Sequence, residues 1–258
     1  MLIKTLLSTP DELGMIAKPG RTKVPRNAQG VEVELEFSKA KDFDGLNYWT
    51  IKGDNSLRHH GLEFLFKKPL SDRAELKDAF NEFEGCLRGT QLINSLRTST
   101  HVHHNVADRI GLDIIAIFGV YWVVEDLLMD FCGESRKGNF NCLSNSMTQA
   151  AQETLQDSLR SLTNNPALKK NFYNTRSIYE IADNNYRYSS LNPAAIRLFG
   201  SVEFRGMREL TDAKSLYRWS RIIQYLISYA TDRPFDVTLR KFHRMTPTEI
   251  IQDIFQDY

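Results

Sequence analysis

Three carboxylates stand two residues apart in Gly30-Val31-Glu32-Val33-Glu34-Leu35-Glu36-Phe37. Strict alternation reads as a β-strand, with Val31, Val33, Leu35 and Phe37 on one face and the three acids on the other. Acids in a row repel each other, and Glu is a poor strand former. Either water covers that face or cations sit on it, and the other strands decide between the two. Three further strands carry similar groups. Glu63 lies within the apolar run Gly61–Phe66, where an unpaired carboxylate is costly, and Asp54 stands in the turn before it. His101 and His103 share a face in Thr98–His104, while Val102 and His104 point the other way. Glu203 and Arg205 share a face in Gly200–Gly206. Carboxylates select hard cations such as Mg²⁺ or Mn²⁺ and accept an imidazole as a minority ligand. Arg205 adds a planar donor for phosphate or carboxylate oxygens. That combination fits nucleotide phosphoryl transfer better than zinc hydrolysis. His-x-His with a carboxylate keeps zinc open. There is no glycine-rich phosphate loop of the P-loop or dinucleotide type, so an ATP site here is of another kind.

The elements that must position these groups can be read in order. Residues 1–29 form an irregular lead-in punctuated by Pro10, Pro19, Gly20 and Pro25, and residues 30–258 a single domain. Strands are expected at 31–37, 47–52, 61–66, 98–104 and 200–206, with a strand or its approach at 186–192. Ser71 or Asp72 caps a helix running to about Ser95, with Glu75 at capping-box spacing. A long apolar helix covers 109–132, followed by a polar loop at 133–146 and helix at about 147–161 and in part of 172–186. Asp212 caps a helix to about Tyr229, and Thr246, Pro247 and Glu249 open a last one. Strands separated by long helices, with polar groups on one strand face, describe an α+β domain. Its sheet is mainly antiparallel, with helices on the apolar face and the polar face open.

Composition narrows the partners. The chain has 258 residues, 41% hydrophobic and 25% charged, with net charge +1. Near-neutral charge gives no electrostatic reason to expect nucleic acid or an anionic membrane. Cys86, Cys132 and Cys142 lack metal-type spacing and suit a reducing compartment, hence the cytoplasm. Asp113, Glu125, Asp126 and Asp130 interrupt the most apolar stretch, which favours a buried helix over a membrane span.

The order of motifs resembles the amidoligase family, carboxylate–amine ligases related to glutamine synthetase and γ-glutamylcysteine synthetase. The resemblance rests on Gly30-Val31-Glu32-x-Glu34-x-Glu36-Phe37, then Trp49-x-x-x-x-Asp54-x-Ser56-Leu57 with Glu63 nine residues after the Asp. His101-Val102-His103 follows, then Arg187-Tyr188-x-x-Leu191-Asn192 leading to Val202-Glu203-Phe204-Arg205. It covers roughly residues 30–227. It implies a glutamine-synthetase-like fold in which a curved antiparallel sheet forms a funnel for ATP and Mg²⁺ or Mn²⁺. By motif, Glu34, Asp54 and Glu63 correspond to ligands of the metal near the acceptor, with Asp54 and Glu63 also able to help deprotonate the amine. Glu32, His101 and Glu203 correspond to ligands of the metal bridging the ATP phosphates. Arg205 matches the arginine facing the γ-phosphate, His103 a position facing the substrate carboxylate or acyl phosphate, and Arg187 a second phosphate or substrate donor. The chain departs from the family at Ser99-Thr100, where a glycine is usual, and at Phe64–Pro69, where Ser-Pro commonly follows the Glu. Both bear on substrate contacts more than on metal.

The implied reaction joins a carboxylate and an amine, from small molecules or peptides, through an acyl phosphate. Related ligases often assemble into rings or dimers, so homo-oligomerisation is open. A metal-dependent hydrolase using His101 and His103, and an inactive nucleotide- or peptide-binding relative, are the alternatives. Outside the matched positions, Glu36 reads as solvated or ion-paired, His59 and His60 as exposed loop residues, and His104 as packed behind the sheet.

Overall fold

The structure, a computed structural model, describes residues 2–3, 24–145, 153, 182–233, 238, 241–242 and 244–256. Among the described residues seven strands form one sheet: β1 (Gln29–Phe37), β2 (Trp49–Gly53), β3 (His60–Phe66), β4 (Leu92–Ile93), β5 (Ser99–Asn105), β6 (Leu191–Asn192) and β7 (Ser201–Met207). The spatial order is β2-β3-β1-β5-β7-β6, with β4 against the end of β1, and every strand pair is antiparallel. Among the described residues the α-helices are α1 (Arg73–Cys86), α2 (Gly111–Cys132), the short α3 (Ala195–Phe199), α4 (Ala213–Thr231) and α5 (Pro247–Ile254). This is an α+β fold with an open, antiparallel sheet. The expected helices at 147–161 and in most of 172–186, and most of the lead-in, lie outside the described residues.

Alternation separates the two faces of the sheet. Val31, Val33, Leu35 and Phe37 are all buried, and Phe64, Val102, Val202 and Phe204 join them in one core. Full burial of each such side chain contributes about 1.5–3 kcal/mol. α1 brings Leu76, Ala79, Phe80 and Phe83 to this face at helical spacing. Phe83 packs on Trp49 and Phe64 with ring centroids 4.9 and 5.2 Å apart. α4 offers Leu216, Trp219, Ile223, Leu226 and Ile227 in the same manner. Gln29 fastens β1 to α4, because its amide donates to Ser220 O at 3.0 Å and accepts the Ser220 hydroxyl.

Caps explain most boundaries. The Asp72 carboxylate accepts from Ala74 N–H at 2.8 Å and Glu75 N–H at 2.9 Å, and Asp212 accepts from Ser215 N–H at 2.8 Å. Thr246 and Glu249 form the complete capping box. Two expectations need correction. α1 stops at Cys86, nine residues before Ser95, because a turn follows in which Gly89 takes φ +73° and leads into β4. The segment 186–192 contributes only the two-residue β6, and α3 follows where no helix is expected. No described helix is long and apolar enough to cross a membrane.

Candidate functional site

The polar face is built by register. On β1, Glu32 stands opposite Leu65 of β3 and His101 of β5, and Glu34 opposite Glu63 and Ser99. On β7, Glu203 stands opposite His103 and is flanked on its other side by Asn192 of β6. Directly opposed residues share a face, so four neighbouring strands deliver their ionisable groups to one surface. The neighbour of His103 shows the alternation from behind. His104 points into the core, fully buried, and burial, helped by the Arg109 charge, pushes its pKa down to about 3.

At one end of the face the groups are compact. One ligand atom from each of Glu32, His103 and Glu203 falls within 4.8 Å of the other two, an arrangement able to hold a cation. His103 Nε2 is 3.2 Å from Glu32 and 3.8 Å from Glu203. His101 Nδ1 lies 3.4 Å from Glu32 and 3.3 Å from Glu203, so both imidazoles reach the two carboxylates. Arg205 Nη1 donates to Glu203 at 2.5 Å, and Asn192 Nδ2 donates to its other oxygen at 2.6 Å. Burial disfavours charge on all three members of the triad, but they offset it for one another. His103 with His101 holds Glu32 well below the usual carboxylate range, and His103, Arg205 and His101 lower Glu203 from its ordinary value. Glu203 and Glu32 in turn raise His103 above its ordinary value.

The other end is acidic and less balanced. Glu34 accepts the Ser99 hydroxyl, which also lies 2.8 Å from His101 Nε2. Burial, and then repulsion from Glu32, Glu34 and Asp54, raises Glu63 to about 7. Lys52, opposite Glu63 on β2, offsets only part of this. Asp54 reaches this end on a loop that folds back over the sheet. Its carboxylate accepts from Ser56 N–H at 2.7 Å and Ser56 Oγ at 2.8 Å, an Asx-type turn. Gly61 permits the fold-back, because a Cβ there would meet Leu57 Cβ at 2.3 Å.

Glu36 corrects the reading from sequence. It is not solvated, and it forms no ion pair among the described residues. It is 1% exposed and accepts the Arg58 N–H at 2.8 Å, which pins the same loop. His59 and His60 are exposed, as expected. Arg187 is also exposed, with its guanidinium 5.6 Å from the Tyr188 ring centroid, and makes no described contact with the carboxylate–imidazole cluster. Ser99 and Asn192 are site residues that the chemistry-first reading passed over. Ser99 sits two residues before His101, so the period-2 rule already places it on the same face.

A cleft of about 560 Å³ opens beside Glu32 and His103. Its lining includes Gly30, which pairs with His103, and Thr50, Lys52, Phe66 and Phe199. Phe199 meets His103 edge-on, 5.4 Å between centroids. The arrangement offers a cation site, a guanidinium and a partly apolar recess in continuity.

A family model described as "Putative amidoligase enzyme" matches residues 86–227, more than half of the chain. His101, His103, Glu203 and Arg205 fall inside the match, and Glu32, Glu34, Asp54 and Glu63 precede it. No curated protein matches the chain. With His-x-His and Val-Glu-Phe-Arg inside a match of that length, the chain belongs to the amidoligase family.

Proposed function

We propose that this protein is an ATP-dependent carboxylate–amine ligase of glutamine-synthetase-like fold, using Mg²⁺ or Mn²⁺. The observation that carries the reading is the convergence of Glu32, His103 and Glu203 within 4.8 Å, beside Arg205 and on an open sheet face. The donors suit a hard divalent cation, which when bound neutralises phosphate charge. Glu32 and Glu203 hold it, with His103 or His101 as the nitrogen ligand. Arg205, already against Glu203, turns its remaining donors toward the phosphoryl group in transit. The γ-phosphoryl passes from ATP to the substrate carboxylate, leaving ADP. The amine then attacks the acyl carbon and phosphate leaves as the amide forms.

Glu34, Asp54 and Glu63 serve the acceptor end, where they hold a second cation or take the proton of the incoming ammonium. Glu63 suits the proton role, since its pKa of about 7 lets it both accept and release near neutrality. The cleft beside His103 has the size and apolar lining for part of a nucleotide. Arg187 serves as a second phosphate or substrate donor only if the loop carrying it moves over the face on binding. Acid and amine are small molecules or peptide groups, and the setting is cytoplasmic.

One observation favours a second reading. Both imidazoles contact Glu32 and Glu203, and a two-His, one-carboxylate set also suits zinc and a hydrolytic water. Release of ADP and phosphate across pooled carboxylates and amines separates the two. The ligase reading expects ADP only when acid, amine and Mg²⁺ are all present. Turnover without ATP sinks it.

A further inference from the structure

Arg205 is held from three directions. Its N–H donates to Ser190 O at 2.7 Å, its Nε–H to Asn141 O at 3.2 Å, and its carbonyl accepts from Arg136 Nη2 at 2.9 Å. These contacts are needed because the sheet is irregular at this point. Thr100 pairs with Met207 and Val102 with Phe204, so one residue of β5, His101, faces two of β7, Arg205 and Gly206. Such a bulge re-aims a side chain and interrupts the ladder on that side. Gly206 itself fits against α2, where a Cβ would come within 2.9 Å of Met129 Sδ. The orientation of Arg205 therefore depends on the loops at its other edge, and those loops have little regular structure.

A buried carboxylate on α2 gathers them. Glu125 is 1% exposed, whereas Asp126 and Asp130 of the same helix are exposed to solvent. It accepts Ser144 Oγ at 2.9 Å, Asn145 N–H at 2.8 Å and the Ser190 hydroxyl. Leu143 N–H donates to Tyr188 O at 2.7 Å and Ser190 N–H to Leu143 O at 2.8 Å, closing a seam between the two loops. Packing alone gives no reason for a carboxylate here, since burying one costs several kcal/mol unless hydrogen bonds satisfy it. Glu125 has such bonds, and the three among the described residues come from the loops that hold Arg205.

We propose that Glu125 is a positioning residue for Arg205. It clasps the 141–145 and 188–190 loops so that the Ser190 carbonyl fixes the Arg205 backbone and the Asn141 carbonyl aims the guanidinium along β7 toward Glu203. What Arg205 then does rests on the ligase reading; how it is held does not. Amide hydrogen exchange on the full chain tests the clasp without nucleotide. In Glu125→Gln, exchange at Arg205 and Ser190 should accelerate about 10-fold or more, while Val33 and Phe64 keep wild-type protection. Ser190→Ala, which removes one hydroxyl from the clasp, should accelerate the same two amides by about 3-fold or more, and carries the test if Glu125→Gln does not fold. Unchanged exchange at Arg205 in a folded variant overturns the proposal.

A second readout follows function by the affinity for Mg²⁺ with the ATP analogue AMPPNP. Arg205→Met and Glu125→Gln should each weaken it about 10-fold, and the double variant should be no weaker than Arg205→Met alone. Additive losses would mean that Glu125 acts elsewhere and overturn the proposal. Wild-type protein that binds no AMPPNP would count against the ligase reading only, and the exchange experiment would still decide the clasp.

Discussion

The two ends of the polar face carry similar carboxylates in opposite electrostatic states. Around Glu203 and Glu32, two imidazoles and Arg205 balance the acids, and both carboxyls are held below their ordinary range. Around Glu63 the acids outnumber their partners, and the carboxyl rises to about 7. At the first end His103, whose pKa is raised by Glu203 and Glu32, and the Arg205 guanidinium offset the charge of the acids. The second has, among the described residues, only Lys52 to offset its acids. The same residue type on neighbouring strands therefore sits in two different electrostatic settings, one balanced by cationic partners and one with an excess of acid.

The comparison breaks first at the balanced end. Glu203→Ala and Glu32→Ala should each lower amide-forming turnover about 10³-fold, the scale of several kcal/mol of lost charge stabilisation. The loss is measured as ADP formed per enzyme, with circular dichroism to confirm folding. Near-normal turnover in either would separate the triad from the chemistry.

Next in size is the loop that delivers Asp54. Gly61→Ala brings a Cβ to 2.3 Å from Leu57 Cβ, an atom that cannot swing aside. A destabilisation of about 2 kcal/mol is expected in urea unfolding. With Asp54 and the Glu36–Arg58 pin displaced, acceptor-side binding should weaken more than Mn²⁺ binding at the triad. Equal loss at both ends would deny that the loop serves one of them.

Glu63→Gln sharpens the contrast by making the protein more stable. The native state holds the Glu63 proton more tightly than the unfolded chain, so wild-type stability falls as pH rises from about 4.5 through about 7. Above pH 7 the variant should be more stable than wild type by about 1–2 kcal/mol, allowing for solvent screening. The gain should vanish below about pH 4.5 and come with loss of activity. Thermal melts across pH, without metal, give the answer, and a flat difference would refute the acid-excess account.

The smallest effect is a pH dependence at the triad. Glu32 and Glu203 contribute stability above the ordinary carboxylate range and lose it as pH falls. His103, with its raised pKa, contributes below its ordinary value and loses it as pH rises through the raised one. A cation must displace the His103 proton, so Mn²⁺ affinity should rise with pH up to that raised value and release a proton on binding. Calorimetry in buffers of different ionisation enthalpy detects that proton, and no uptake or release would mean that the imidazole is not displaced.

How much of this is legible before folding depends on the range of the interaction. Strand alternation alone places Glu32, Glu34, Glu63, His101, His103 and Glu203 on common faces, since the period of two is fixed by backbone geometry. Caps at Asp72, Asp212 and Thr246 are equally local. Which imidazole closes on which carboxylate is not local. His103 stands directly opposite Glu203, while His101 faces the bulge at Arg205 and Gly206, and no periodicity announces that extra residue. Glu36 fails for a similar reason: its alternation is correct, but the loop that folds over it depends on a long-range fit between Gly61 and Leu57. Glu125, inside the most apolar helix, reads from sequence as an interruption, and its partners come from two loops distant in the chain.

The most direct test of the central claim is calorimetric titration of Mn²⁺ into the metal-free protein, with and without AMPPNP. The account predicts divalent-cation binding that AMPPNP strengthens and that Glu32→Ala and Glu203→Ala each abolish. Wild-type protein that binds no Mn²⁺ at millimolar concentration, or variants that bind it as wild type does, would contradict the assignment of this sheet face as a metal-dependent phosphoryl-transfer site.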